Sequence, residues 1–404
     1  MKRMTKKDTV TFGAVGDIAL WDRTAEDMLV HGMDWPFEKM VPHLSRAEVL
    51  FGNMESVFIP DDYPRDEIDP KGLVSLLPGP EAASALKRAG FDFLNLAANH
   101  VLDAGRVGLD HTVRCLEEAD ILTGGVGYSQ AEARRLVVLE KGGLTFGFLC
   151  YCEDNNYTLG HTEPAPAYYT RQAVLEDVTA HADEVDVLVV SIHADLEFMP
   201  TPSVPRRDAA RAVAEAGADL ILQHHPHVPQ GVEFVNGSLI AYSLGNFVFN
   251  AHTSDYMKNN GPHTADATLL LVEVGRDGVH SFERIPARIE EPPEQRPHPL
   301  EGRARARQLE YYAELDALLA DEAFVKRTWR EVARKHLMTY IKRAAERDID
   351  SIMEELVGRL CLVAENRNWM EEILNEAREH WEAQKHLNDP LHRPHYRFQR
   401  PDKR

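Results

Sequence analysis

Cysteine is scarce, with 4 in 404 residues, too few for the cross-linked framework that holds small secreted domains together. Positive charge is short as well. Against 65 Asp and Glu the chain sets 45 Lys and Arg, a formal net charge of −20. That balance argues against nucleic acid and against an anionic membrane surface as partners, because neutralising phosphates takes clustered basic residues. No apolar run approaches the roughly 18 residues of a membrane-spanning helix. The start, "MKRMTKKDTVTFGAVGD", has no apolar core of signal-peptide length. Together these absences lead us to expect a cytoplasmic protein. An acidic chain that handles anions also needs local compensation, which bound metal cations supply.

What is present is a rhythm. Up to about residue 250, short apolar strands alternate with amphipathic helices. "TVTFGAVGD", "EVLFGNMES", "FDFLNLAANH", "DVLVVSIH" and "DLILQHH" read as strands, and "PEAASALKRAG", "GLDHTVRCLEEADI" and "RRDAARAVAEAGA" as helices. "RLVVLEKGGLTFGFLCYC" reads as a hairpin turning at Gly142-Gly143, with Cys150 and Cys152 as strand residues facing one side. "GSLIAYSLGNFVF" and "DATLLLVEVG" look like a strand pair. Such alternation predicts a layered α/β domain with helices covering a sheet.

Two turn-rich stretches interrupt it, residues 60–80 and 153–170. The second carries the Tyr, His and Asn of a substrate-facing lid, although an ordinary surface loop reads as well. A Pro-rich linker near residues 290–302 separates a domain over residues 1–295 from a helical extension over residues 303–404. Within the extension, Ile352, Met353, Leu356, Val357, Leu360 and Val363 recur at helical spacing, as do Trp369, Ile373, Ala377 and Trp381. An apolar stripe of that kind reads as an oligomer or partner contact.

The polar residues at the strand ends carry the chemistry. In an α/β sheet, ligands bind in the crevice outside the carboxyl ends of the strands. Those ends hold Asp17, then Asn53 and Glu55, then Asn99 and His100, then His193, then His224, His225 and His227. Taken singly, each has a plain reading: Asp17 or Asn99 as a helix cap, Glu55 as a salt-bridge partner, His193 as a core histidine. Taken jointly, carboxylates, amides and imidazoles at five strand ends read as a metal site, and the mixture suits divalent Mn, Fe or Zn. In extended chain His225 and His227 point to the same side, roughly 6.5 Å apart, so each presents an imidazole to one of two ions about 3.5–4 Å apart. His224 points elsewhere, into the core or behind the ligands.

At these residues the sequence resembles the capsule-biosynthesis (poly-γ-glutamate) CapA family, a branch of the calcineurin-like metallophosphoesterase superfamily. The resembling segments are "GAVGDIAL", "LFGNMES", "FLNLAANHVLDAG", "VVSIHADLEFMPTPS", "ILQHHPHVPQGVE" and "IAYSLGNFVF", in family order over residues 11–250. The resemblance implies a four-layer α/β/β/α sandwich with a two-metal centre at one edge of the sheets. Asp17 would ligate the first metal and Asn99 the second, with Glu55 in the place of a bridging aspartate. His193, His225 and His227 would complete the coordination, and His100, oriented by Asp103, would protonate the leaving oxygen. The family pattern also differs here. Ala19 stands where the wider superfamily has a histidine, Gln223 replaces a glycine, and "HADLE" replaces "HWG" plus Glu, which adds Asp195 and keeps Glu197.

Three functions follow from that site. The first is a dinuclear metal-dependent phosphoesterase using a metal-activated water. The second is an enzyme that makes or breaks a γ-glutamyl-type amide on a small-molecule or peptide substrate, motivated by Asp195 and the aromatic stretch from Tyr151 to Tyr169. The third is a non-catalytic metal-binding scaffold.

Overall fold

The computed structural model describes residues 9–153, 165–345, 348 and 364–384. The alternation seen in the sequence folds as two stacked sheets. The first begins with β1 (Thr9–Ile18), β2 (Val49–Met54), β3 (Phe93–Asn95) and β4 (Leu122–Gly124), side by side and parallel. The chain then builds a second sheet from β5 (Val137–Lys141), β6 (Leu144–Cys152), β7 (Val187–His193), β8 (Leu220–His224), β9 (Val232–Val235) and β10 (Ser238–Ala241). Its order is β9-β10-β8-β7-β6-β5. Finally β11 (Asn246–Val248), β12 (Asp266–Gly275), β13 (Gly278–Ile289) and β14 (Pro297–Pro299) return to the first sheet. There β11 lies parallel to the end of β1, and β12 joins β1 antiparallel along the same edge, opposite β2.

Single-residue alternation inside each strand explains the stacking, because successive side chains point to opposite faces. Phe12 and Ala14 of β1, Phe51 of β2, Phe146 and Phe148 of β6 and Leu220 and Leu222 of β8 form one core between the sheets. Phe93 and Phe148 stack across it with ring centroids 4.0 Å apart. The intervening residues face helices. Ile18, Leu50 and Leu94 pack against α1 (Asp22–His31), α2 (Gly79–Ala89) and α3 (Gly105–Glu118). Leu149, Leu188 and Ile221 pack against α4 (Arg171–His181) and α5 (Val204–Glu215). The result is a four-layer α/β/β/α sandwich.

The hairpin turns at Gly142 and Gly143, both at positive φ, and Cys150 and Cys152 are buried side by side in the inter-sheet core. One expected pairing is wrong. Ser238–Ala241 pairs with β8 and β9, whereas Asp266–Gly275 pairs with β1 and β13. The chain crosses from one sheet to the other between them, and a single bridge joins Gly245 to Ala267. Tyr151 is also no part of a lid. It is fully buried in the helix-facing layer, and its hydroxyl donates to Asp177 Oδ2 at 2.6 Å.

The extension holds α6 (Gly302–Ala320), α7 (Glu322–Ala345) and α8 (Ala364–Gln384). Asp316 of α6 accepts from the Val232 backbone N–H at 2.8 Å and pairs with Arg284. Trp369 of α8 is buried with Trp329 of α7 and Leu196 of the loop after β7, so the face carrying Trp369 and Ile373 is covered by this chain itself. The stripe from Ile352 to Val363 lies outside the described residues, as do the side chain of Trp381 and most of the loop at 153–170. No described helix is long and apolar enough to cross a membrane.

Candidate metal centre

The carboxyl ends of β1, β2, β7 and β8 converge on one buried cluster. Asp17 is brought there by a close approach of two glycines. A Cβ on Gly16 would lie 1.8 Å from the Gly245 carbonyl oxygen, and Gly245 itself sits at φ +71°. The contact lets the Asp17 backbone N–H donate to Gly245 O at 3.0 Å. It also sets Asp17 beside Asn246 in the β1–β11 register. Asp17 caps no helix, since α1 starts five residues later.

Asp17 is fully buried. Its Oδ1 accepts from the Asn53 amide at 2.9 Å, and its two oxygens lie 3.5 Å from His224 Nδ1 and 3.4 Å from His227 Nδ1. Burial opposes the charge, yet His224 and His227 hold this carboxyl well below the ordinary range. Glu55 is the reverse case. Burial pushes it up to about 8, with the Asp17 and Glu197 charges adding to the push. Both its oxygens are buried without a hydrogen-bond partner among the described residues, while Oε1 lies 3.8 Å from His193 Nε2 and 3.7 Å from His227 Nε2. Burial and the neighbouring imidazoles keep His193 far below its ordinary range, and His225 down at about 4. Both rings are therefore neutral at neutral pH, as metal ligands must be. His227 is shifted upward despite its burial, because Glu55 and Asp17 face it.

His225 and His227 come together by a route other than the expected extended chain. They follow the end of β8 in a tight bend, at φ +96° and +56°, around Pro226, and their ring centroids are 5.9 Å apart. His224, still in the strand, lies behind them with its ring stacked on Phe51.

Asn99 Oδ1 is 2.8 Å from His193 Nε2, and Asn53 Nδ2 is 3.2 Å from the other nitrogen of that ring. His100 stands at the part-exposed rim, its Nδ1 2.6 Å from Asp103 Oδ2. Although burial lowers it, the Asp103 carboxylate raises His100 above its ordinary value. Asp103 also accepts from the Leu73 N–H at 2.6 Å. Glu197 Oε1 is 3.8 Å from His227 Nε2. Asp195 does not face the cluster. Its carboxylate accepts from the Ser203 N–H at 2.7 Å and so ties the loop after β7 to the start of α5.

Two amides escaped the sequence reading. Asn246 Oδ1 is 2.9 Å from His227 Nδ1, and its Nδ2 donates to Thr264 O at 2.9 Å, which fixes the ring with Nε2 toward Glu55. Asn95 Nδ2 donates to Asn53 Oδ1 at 2.6 Å. Their signal was present as Asn at a strand edge in "SLGN" and "FLNL", where it reads as an ordinary turn residue.

The donors fit metal ions. Asp17, Glu55 and His193 form one triad and Glu55, His225 and His227 another, each with candidate ligand atoms within 4.8 Å of one another. Glu55 belongs to both. A buried carboxylate without a hydrogen-bond partner is costly to a fold, and a site that receives cations accounts for it.

Comparison with known proteins shows the family. The family described as "Bacterial capsule synthesis protein PGA_cap" matches residues 11–251, more than half of the chain. The chain belongs to that family. The capsule biosynthesis protein CapA of Bacillus anthracis is 28% identical over 295 residues, covering 71% of this chain and 69% of the relative. The PGA biosynthesis protein CapA of Bacillus subtilis (strain 168) is 28% identical over 290 residues, covering 70% and 73%. Among solved structures, a hypothetical protein from Thermus thermophilus aligns with 68% of this chain and 98% of its own at 12% identity, with a TM-score of 0.41.

Proposed function

We propose that this chain is a dinuclear metal-dependent hydrolase acting on a phosphoester. The observation that carries the proposal is Glu55, a buried carboxylate with no hydrogen-bond partner among the described residues that belongs to both ligand triads. Asp17, Glu55, Asn99, His193, His225 and His227 hold two divalent ions, Mn, Fe or Zn. Such ions polarise a phosphoryl group and bring a water molecule's pKa toward neutrality. The rest is the work of side chains. Asn246 fixes His227, Asn53 holds Asp17 and His193 in register, and Glu197 flanks the outer side of the cluster. His100 donates a proton to the departing oxygen. Asp103 favours the charged form of that ring and fixes its orientation, as carboxylates behind a working histidine do. A second reading is an enzyme that makes or breaks a γ-glutamyl-type amide in a biosynthetic pathway; the Bacillus relatives are named as a capsule and a PGA biosynthesis protein.

Metal content per chain decides the first point. Mass spectrometry on protein purified without chelator is expected to find about two equivalents in wild type, as a two-metal site requires, and a sharp loss in a His225→Ala, His227→Ala double variant. No uptake by wild type, even after incubation with Mn and Zn, would refute the hydrolase.

A further inference from the structure

Beside the cluster lies a buried arginine that nothing in the reaction so far uses. Arg206 is 3% exposed. Its Nη2 is 2.9 Å from Glu153 Oε1, and its guanidinium sits 4.0 Å over the Tyr169 ring. Its Nε and Nη1 are buried and bond to nothing among the described residues. Buried polar groups almost always find a partner, and a guanidinium cannot escape the problem by losing its proton.

The surroundings tie this group to the metal centre. The Glu153 N–H donates to His193 O at 3.0 Å, and the Asp195 N–H donates to Glu153 Oε2 at 3.2 Å. Arg206 itself stands in the first turn of α5, where its N–H meets the capping hydroxyl of Ser203. From the far end of the chain, Asn368 of α8 donates to Glu153 Oε1 at 2.9 Å. Glu153 is thus held from three sides, and it holds Arg206 in turn. Glu153 and Asp195 both act on this charge, and the two donors that stay open among the described residues suit an anion.

We propose that Arg206 binds an anionic group of the substrate, a carboxylate or a phosphate, next to the metal centre. Asn368 is a positioning residue that acts through Glu153, so the C-terminal helix completes the substrate wall. Treating this anion as substrate rests on the metal-centre reading; the binding itself does not.

The test is calorimetric titration of the full chain, stripped of metal, with sodium phosphate and separately with succinate. At least one anion is expected to bind wild type, and which one binds tells a phosphoryl end from a carboxylate. Arg206→Gln and Arg206→Lys should each weaken binding at least ten-fold while metal content stays at the wild-type level. Asn368→Ala, at a part-exposed position that leaves Arg206 in place, should weaken it several-fold. Binding of neither anion to wild type, or equal binding to wild type and all three variants, would overturn the proposal. Wild type that binds the anion but takes up no metal would refute the hydrolase and leave the anion site standing.

Discussion

Two sets of carboxylates stand at opposite ends of the parallel strands, Asp92, Asp186 and Asp219 before β3, β7 and β8 and Asp17 and Glu55 at the ends of β1 and β2, and they are treated in opposite ways. At the amino ends, Asp92, Asp186 and Asp219 each directly precede a strand, and each accepts a backbone N–H from the strand beside it. The donors are Leu50 at 3.0 Å, Thr145 at 2.8 Å and Leu188 at 2.7 Å. Lys141 and Arg276 add charge to the first two. At the carboxyl ends, Asp17 meets imidazoles, the Asn53 side-chain amide and, at 3.4 Å, the His225 backbone N–H, and Glu55 meets no donor among the described residues. A carboxylate whose oxygens the fold fills serves as a fastener, and Glu55, whose oxygens it leaves without a donor among the described residues, is the one we propose as a shared ligand. Satisfaction, more than burial or charge, separates the two roles.

The comparison is broken most sharply at Glu55. Glu55→Gln should remove most of the bound metal, because both triads lose their shared carboxylate. The metal-free protein should unfold at about the wild-type temperature, since Gln puts one unpaired buried polar group in place of another. Metal content and metal-free melting temperature read the two effects separately. A variant that melts much lower without metal would make Glu55 a fastener too. Next in size is the rim. His100→Ala should lower turnover about 10²–10⁴-fold, the usual worth of a positioned acid, with metal content unchanged; equal loss of both would move His100 among the ligands.

The opposite signature is expected at the amino ends. Asp219→Ala leaves the buried Leu188 N–H without its acceptor and should cost about 1–3 kcal/mol in denaturant unfolding. Metal content should not change. A loss of metal there would mean that distortion travels the length of β8, and the division between the two sets would fail.

How much of this the sequence carried follows the same line. Alternating strands and helices gave the layers, because apolar period and strand length are local properties. The candidate ligands were visible because Asp, Asn and His rarely gather at strand ends for structural reasons. What stayed hidden depends on partners far along the chain. Asn246 and Asn95 look like turn residues until the fold sets them against His227 and Asn53. The extended chain expected for His225 and His227 gave way to a bend at positive φ, which no side-chain pattern announces. The strand in "GSLIAYS" has a neighbour other than the expected one because a crossover between sheets leaves no periodic trace. Arg206, in "PRRDAARAV", reads as a solvated helix charge, and only the packing of α5, Tyr169 and α8 buries it.

The smallest effect tests whether the fasteners work as charges. The Asp186 carboxyl is held below its ordinary value first by the Thr145 backbone N–H, then by the Thr145 hydroxyl and Arg276. A carboxyl depressed in the folded state adds stability above its unfolded value, 3.8, and that stability disappears as pH falls through the folded-state value. Asp186→Asn should therefore melt slightly below wild type at neutral pH, and the gap should close as the solution is acidified below 3.8. The carboxylate is part-exposed and screened by solvent, so the shift will be small. Melting curves of both proteins across that range measure it. A gap that stays constant with pH would show that Asp186 fastens the strand by shape and hydrogen bonding alone, with its charge contributing nothing.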